Sequence, residues 1–248
     1  MAEERYLSNA PIKEGLIDIH VRKRADFNVD ALATAVARLE PEYYKKGALV
    51  EGEVKVELSP QDASATLTRS GEIGLRFHSR DEKYVAQFRL ESFTLSRLAP
   101  YEKWDNLAAE ARRLWSIYLE CAAPESVTRV ATRFINNLQL PMQPGECFEN
   151  YLTASPQVPA GLPQTLSAFL QRVVIYNSEL NAIANLTQVL EAGAMTDRVP
   201  VILDIDAYHQ AEFDPHGTEM WDCLAQLREF KNKAFFESLT EKAIKLYL

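Results

Sequence analysis

Two aspartates separated by one residue, Asp204 and Asp206, are candidates for chemistry in this 248-residue chain. They lie in residues 199–208, where apolar residues occupy alternate positions, and this pattern predicts a strand with both carboxylates on one face. Carboxylates at positions i and i+2 of a strand stand about 7 Å apart. They could share a divalent cation, or act as acid and base in a metal-dependent hydrolase or nuclease. The alternative without a ligand is that both are solvated or paired with arginines of a neighbouring strand.

Arginines supply a second candidate site, because several alternate with apolar residues in other predicted strands. If these strands form one sheet, the arginines converge with the two aspartates on its open face. A mixed face of this kind suits an anionic ligand, a nucleotide or an acidic partner segment. Cross-strand ion pairs with no ligand are the alternative. The candidate binding residues are Arg76, Arg89, Arg129 and Arg133.

Motifs of familiar enzyme classes are missing from the sequence. There is no GxSxG nucleophile elbow, and none of the nine glycines lies in a GxGxxG or GxxxxGK[ST] phosphate-binding array. The three cysteines have no zinc-binding spacing. We therefore expect no organic cofactor, leave a divalent cation open, and favour a non-enzymatic protein.

The elements that must position these residues follow an order that occurs twice. Each half reads as strand, helix, several strands and a long amphipathic helix. The order predicts an α+β fold with a duplicated strand–helix–strands–helix unit, its halves being residues 1–124 and 125–248. We expect one extended antiparallel sheet, with long helices over residues 104–121 and 218–248 packed on one face.

Composition limits the partners. The formal net charge of −8 disfavours non-specific binding to nucleic acid. The sequence shows no secretory signal and no apolar run of the ~18 residues that span a bilayer. We therefore expect a cytoplasmic protein that does not associate with a membrane. An odd number of cysteines without CxxC spacing is typical of reduced thiols. A homo-oligomer remains compatible with these data.

Several segments together resemble a family of uncharacterised bacterial proteins of about 250 residues, which is sporadically distributed across distant lineages. The resemblance covers nearly the whole chain. Such a distribution is typical of mobile genes, including defence and toxin–antitoxin modules. The order of elements also resembles tandem helix-grip folds, such as the saddle of TATA-binding proteins. The matching segments are residues 7–14, 88–101, 129–136, 203–206, 227–232 and 235–243.

The sequence and this resemblance together predict a binding protein of a bacterial defence or toxin–antitoxin module. Its open sheet face would hold a protein partner or a small anionic ligand. Two alternatives stay open: a metal-dependent hydrolase or nuclease that uses the two aspartates, and a sensor of a nucleotide or a phage component.

Overall fold

A single antiparallel sheet of nine strands forms the centre of the molecule. The computed structural model describes residues 7–40, 42–59, 62–142, 146–190 and 198–248. For residues 52–59 and 62–70 it describes the backbone but not the side chains. Across the sheet the strands follow the order β2-β3-β4-β5-β1-β6-β9-β8-β7. Their bounds are Ile12–Arg22 (β1), Tyr43–Ser59 (β2), Asp62–Ser79 (β3), Tyr84–Arg89 (β4), Ser92–Leu98 (β5), Ser126–Leu140 (β6), Phe169–Asn177 (β7), Ala182–Leu190 (β8) and Val199–Phe213 (β9).

The first strands of the two predicted halves, β1 and β6, lie side by side in the middle of the sheet. Each also pairs with the last strand of its own half, β1 with β5 and β6 with β9. Ile17 and Ile19 alternate along β1 on the face that is fully buried. A strand flanked on both sides with one face buried has its register strongly specified, because a one-residue slip would turn its apolar side chains to solvent.

Helices cover the face to which these isoleucines point. Their bounds are Val29–Leu39 (α1), Trp104–Ala122 (α2), Glu219–Glu237 (α3) and Glu241–Ile244 (α4), and a 3-10 turn spans Phe148–Asn150. On α2, Trp115 and Tyr118 make edge-on and tilted ring contacts with Phe93 of β5. The indole Nε1 of Trp115 donates to the carbonyl oxygen of Pro215, just before α3, at 3.0 Å. The ring contacts hold α2 on the sheet, and the hydrogen bond holds the segment before α3 beside α2. No helix within the described ranges is long and apolar enough to cross a membrane.

The helix predicted over residues 218–248 is interrupted. The α3 helix ends at Glu237, and the hydroxyl of Ser238 donates back to the carbonyl of Ala234 at 2.6 Å. Thr240 then caps α4, because its hydroxyl oxygen accepts from the amide of Ala243. Its own amide donates to the carbonyl of Tyr151 at 3.0 Å, which docks the break onto the preceding loop. Apolar periodicity continues through the break, and this continuity explains the longer prediction.

The dipeptide Ser70–Gly71 is a turn signal in the sequence and predicts the end of a strand, but β3 runs through it. Gly71 has a φ of +139°, a conformation that glycine adopts without strain. The partner strand β2 shifts register around Val50 and Gly52, opposite this position. The hairpin of β2 and β3 therefore continues past Gly71, with a local shift in its pairing register.

Candidate functional site

On the open face of the sheet, arginines pair with aspartates, which was the alternative without a ligand in the sequence analysis. Arg133 Nε donates to Asp204 Oδ1 at 2.8 Å, and its Nη2 donates to Oδ2 at 2.5 Å. This bidentate pair is the strong geometry for an arginine and a carboxylate. Hydrogen bonding to Asp204 raises the pKa of Arg133, although burial of the guanidinium opposes the shift.

Arg129 lies between two carboxylates at the centre of this face. Its guanidinium is 2.8 Å from Asp18 and 3.5 Å from Asp206, and it stacks 4.5 Å from the ring centre of Tyr208. The amide of Asn185 also donates to Asp206, at 3.3 Å. Both aspartates of the sequence-based proposal therefore have cationic or amide partners from the protein itself. We call Asp18, Arg129, Arg133, Asp204 and Asp206 the open-face network.

Asp18 has its ionised form stabilised within this network. Burial raises the pKa of its carboxyl, but hydrogen bonds from His20 and Thr94 and the charges of His20 and Arg129 more than offset this, so the pKa lies below its ordinary value. The Thr94 hydroxyl donates to Oδ1 at 2.7 Å, and the His20 imidazole lies 2.9 Å from Oδ2. An aspartate held in this way acts as a fixed negative charge.

The other two predicted arginines lie in β3 and β4, beyond β5 in the sheet. Arg89 donates to Oε1 of Gln87 through Nε at 3.2 Å and through Nη2 at 2.7 Å. Arg76 is exposed and stands opposite Gln87 in the register of β3 and β4. The structure thus brings Arg129 and Arg133 together with the aspartates, whereas Arg76 and Arg89 lie farther along the same sheet, on β3 and β4, and make no ion pair with these aspartates among the described residues. Binding of a ligand by any of the four stays a prediction.

Metal binding by Asp204 and Asp206 stays a prediction too. Within the described residues, no group of three or more His, Cys, Asp or Glu side chains is placed to hold a metal ion. Each carboxylate faces a guanidinium, which a divalent cation would have to displace. The cysteines carry no disulfide, and Cys147 is exposed.

A second candidate site lies on the opposite face, in a cavity of about 380 Å³ between the start of α2 and the middle of α3. We call it the Lys231 cavity. Aromatic and apolar side chains form most of its wall, and charged groups stand at the start of α2 and on α3. Its lining residues are Leu7, Ala10, Ile12, Tyr101, Glu102, Lys103, Trp104, Asp105, Phe134, Asn136, Arg228, Lys231, Asn232, Phe235 and Phe236.

Lys231 is the unusual residue of this cavity. Its side chain is buried, with a relative exposure of 7% for the residue, and Nζ lies 3.5 Å from the ring centre of Phe134. None of the described residues gives Nζ a hydrogen bond or an ion pair. Burial, together with the nearby charge of Arg228, lowers the pKa of the amine to about 7, while Glu229 opposes the shift. A buried amine with only an aromatic ring beside it is costly to charge, and it can accept an anion or act as a nucleophile.

The floor of the cavity depends on a glycine. A Cβ on Gly15 of β1 would lie 2.7 Å from Cε1 of Phe134, so a glycine here allows the ring to approach β1 this closely. Asn136, two residues along β6, is fixed because its amide donates to the carbonyls of Phe134 and Leu203 at 3.3 and 2.9 Å. The surface beneath the lysine amine is therefore rigid and belongs to the two central strands.

The rim of the cavity is the N-terminus of α2. Lys103 is the N-cap residue and makes no side-chain cap, so the first amides of this 19-residue helix lack a side-chain acceptor. Such a terminus carries a partial positive charge. Glu102, which precedes it, is already held by Arg97 at 3.0 Å and by the Asn106 amide at 2.8 Å. Lys103 and Arg228 add cationic groups, and Asp105 adds one acidic group.

Sequence reasoning missed Lys231, although a signal was present. Leu227 and Phe235 belong to the buried apolar stripe of α3, and a residue four positions from each lies on the same helix face. Lys231 occupies that position, so a lysine interrupts an otherwise apolar stripe. The cavity itself could not be predicted, because its wall joins segments up to 229 positions apart in the chain, from Leu7 to Phe236.

No protein-family model and no curated protein matches this chain.

Proposed function

We propose that this protein binds a small organic anion in the Lys231 cavity. The observation that carries the proposal is the buried amine of Lys231, which lines the cavity without a hydrogen-bond or ion-pair partner among the described residues. A buried lysine is otherwise nearly always paired. A ligand carboxylate or phosphate would supply the missing partner and offset the cost of burying the charge.

The walls favour an anion with an apolar body. Tyr101, Phe134 and Phe235 give aromatic surface around the amine, and the open N-terminus of α2 gives a second positive region at the rim. A volume of about 380 Å³ lies at the small end of ligand pockets, which span about 300–1,000 Å³. A single ring with one acidic group fits these features.

The segments of the family resemblance add support. The cavity takes residues from the opening segment (7–14), from the end of segment 88–101, from segment 129–136, and from the α3 parts of segments 227–232 and 235–243. We infer that these segments resemble the family because they build a shared binding site. The same resemblance motivates the proposal of a defence or toxin–antitoxin context, which stays a prediction.

The open-face network remains a second proposed surface, for a protein partner. Its arginines are already neutralised by aspartates, which leaves the face with little attraction for a free anion, and so we place the small ligand in the cavity. We also infer that the fold arose by duplication. The central position of β1 and β6, each beside the last strand of its own half, supports this inference.

Isothermal titration with 4-methylbenzoate tests the proposal, and 4-methylbenzamide serves as the neutral control of the same shape. We expect saturable binding of the carboxylate only, lost in Lys231→Met and kept in Lys233→Met, whose lysine lies two residues along α3 and is exposed. Binding should weaken as pH rises from 7 to 9, because the free amine loses its proton in this range. Equal affinity of Lys231→Met and the unaltered protein for the carboxylate would refute the proposal.

A further inference from the structure

Resting on the proposed function, we propose that Lys231 captures its ligand covalently, as an imine with a carbonyl group, and that the ligand class is an aldehyde or a keto compound that also carries an acidic group. The geometry behind the proposal is a cavity with two separate polar regions. The amine of Lys231 stands over Phe134 in the wall, while Lys103, Arg228 and the N-terminus of α2 stand at the rim. A carbonyl can therefore meet the amine while the acidic group meets the rim.

Availability of the amine distinguishes Lys231 from lysines held in ion pairs, such as Lys242. Lys242 is held by Glu146 in an ion pair and lies over the ring of Tyr151. An amine in an ion pair is held protonated and has no free electron pair. Lys231 has no carboxylate within ion-pair distance among the described residues, and its amine lies over the face of the Phe134 ring. Desolvation in an apolar pocket is a recognised way to make a lysine nucleophilic at neutral pH.

The charged and titratable groups around the amine come from two elements. The start of α2 contributes Tyr101, Glu102, Lys103 and Asp105, and α3 contributes Arg228, with Glu229 behind it. The parts of β1 and β6 that line the cavity contribute apolar groups and the neutral amide of Asn136. Positive charge of Arg228 and burial act in the same direction, since both favour the neutral amine.

The chemical step is balanced without a further reactant. The electron pair of neutral Lys231 Nζ attacks the carbonyl carbon, a C–N bond forms, and the carbonyl π electrons move to oxygen. Both amine protons then leave with that oxygen as water, and the C=N bond forms. The imine nitrogen takes one proton from solvent. The protein supplies the apolar wall, which disfavours water and so opposes hydrolysis of the imine.

Reductive trapping tests the inference with 4-carboxybenzaldehyde, the carbonyl counterpart of 4-methylbenzoate. The 248-residue protein is incubated with the aldehyde at pH 7.5, sodium cyanoborohydride is added, and the product is examined by intact mass and peptide mapping. We expect one reduced adduct, on Lys231, formed at least tenfold faster than adducts on exposed lysines such as Lys233. Excess 4-methylbenzoate should slow it.

Two variants separate the outcomes. Lys231→Arg retains a cation but not the nucleophile, and should lose the fast adduct while still binding 4-methylbenzoate; Lys233→Arg should keep both properties. Thermal unfolding shows whether each variant folds. If 4-methylbenzoate binds and the aldehyde labels Lys231 no faster than Lys233, the imine is refuted and the anion site stands. If neither compound binds the unaltered protein and no fast adduct forms, both proposals fail.

Discussion

The amine of Lys231 lies 3.5 Å from the centre of the Phe134 ring, in the wall of a cavity and without an anionic partner among the described residues. Phe134 in turn lies over Gly15, so one glycine, one aromatic ring and one lysine form a column from the sheet into the cavity. This column places the lysine amine in the wall of the cavity and keeps the amine desolvated. Each member can be altered separately, and the following predictions use this property.

Replacing Lys231 with methionine should stabilise the protein. Burial lowers the pKa of the folded-state amine to about 7, while an unfolded lysine has its ordinary value near 10.4. Between these values the unfolded chain binds the extra proton, so the free energy of unfolding rises with pH until about 10. The variant should lose this slope and gain on the order of 3 kcal/mol at pH 8. Urea unfolding from pH 7 to 10 measures both, with Lys233→Met as control.

Gly15→Ala should destabilise the fold and close the cavity. The new Cβ would stand 2.7 Å from the ring of Phe134, which must tilt towards Lys231. Overpacking of this kind costs about 1–3 kcal/mol. The control is Gly47→Ala, since a Cβ on Gly47 would meet nothing within 4 Å. Denaturant unfolding and titration with 4-methylbenzoate are the measurements; unchanged binding by a folded Gly15→Ala protein would contradict our account of the floor.

Asp18 should contribute to the loss of stability in acid. Its pKa in the folded state lies below the ordinary value, despite burial, because of His20, Thr94 and Arg129. The contribution is present above the unfolded-state pKa, near 3.9, and disappears as pH falls through the lower folded-state pKa. Asp18→Asn should therefore lower the free energy of unfolding at pH 7 and flatten its decline below pH 5. A parallel decline in both proteins would rule this out.

The two network arginines should differ in their effect on stability. Arg129 and its carboxylate partners are each at most a quarter exposed, whereas the Arg133 side chain is 44% exposed. Arg129→Ala leaves Asp18 and Asp206 without their shared cation, and should cost about 3 kcal/mol or more. Arg133→Ala should cost about 1 kcal/mol or less. Chemical unfolding at low and high salt compares them, and equal losses would contradict this ranking.

Divalent cations should not stabilise the protein through Asp204 and Asp206. Arg133 occupies both oxygens of Asp204, while Arg129 and Asn185 engage Asp206. Thermal unfolding with Mg²⁺ or Mn²⁺ should give no increase in midpoint that depends on Asp204. A stabilisation abolished by Asp204→Asn would instead revive the metal-dependent alternative.

Much of the sheet was predictable because alternation is a local signal. Apolar residues alternate in residues 199–208, which were predicted as a strand, and the structure places them in β9, Val199–Phe213. The end of α3 was not predicted, since its break at Ser238 and Thr240 depends on contacts with the distant Tyr151. The pairing of Arg133 with Asp204 followed from strand order and register, and the sequence analysis contained it as the alternative without a ligand.

The Lys231 cavity depends on register and packing together, and no single segment contains its pattern. A lysine within the apolar stripe of α3 was the one local signal. Its importance appears only when Phe134 is placed beneath it and the start of α2 beside it. Such a site cannot be predicted from motif spacing, because spacing describes neighbours along a chain and these walls are neighbours only in the folded protein.

The central pairing of β1 with β6 has a consequence for fragments of the protein. One wall of the cavity comes from residues 7–105 and the other from residues 134–236, and the join between the strands runs beneath it. Neither half can therefore hold a ligand by itself. Residues 1–124 and 125–248, produced as separate polypeptides, should bind the ligand only when they are mixed. A ligand of this cavity would contact both polypeptides and so strengthen their association.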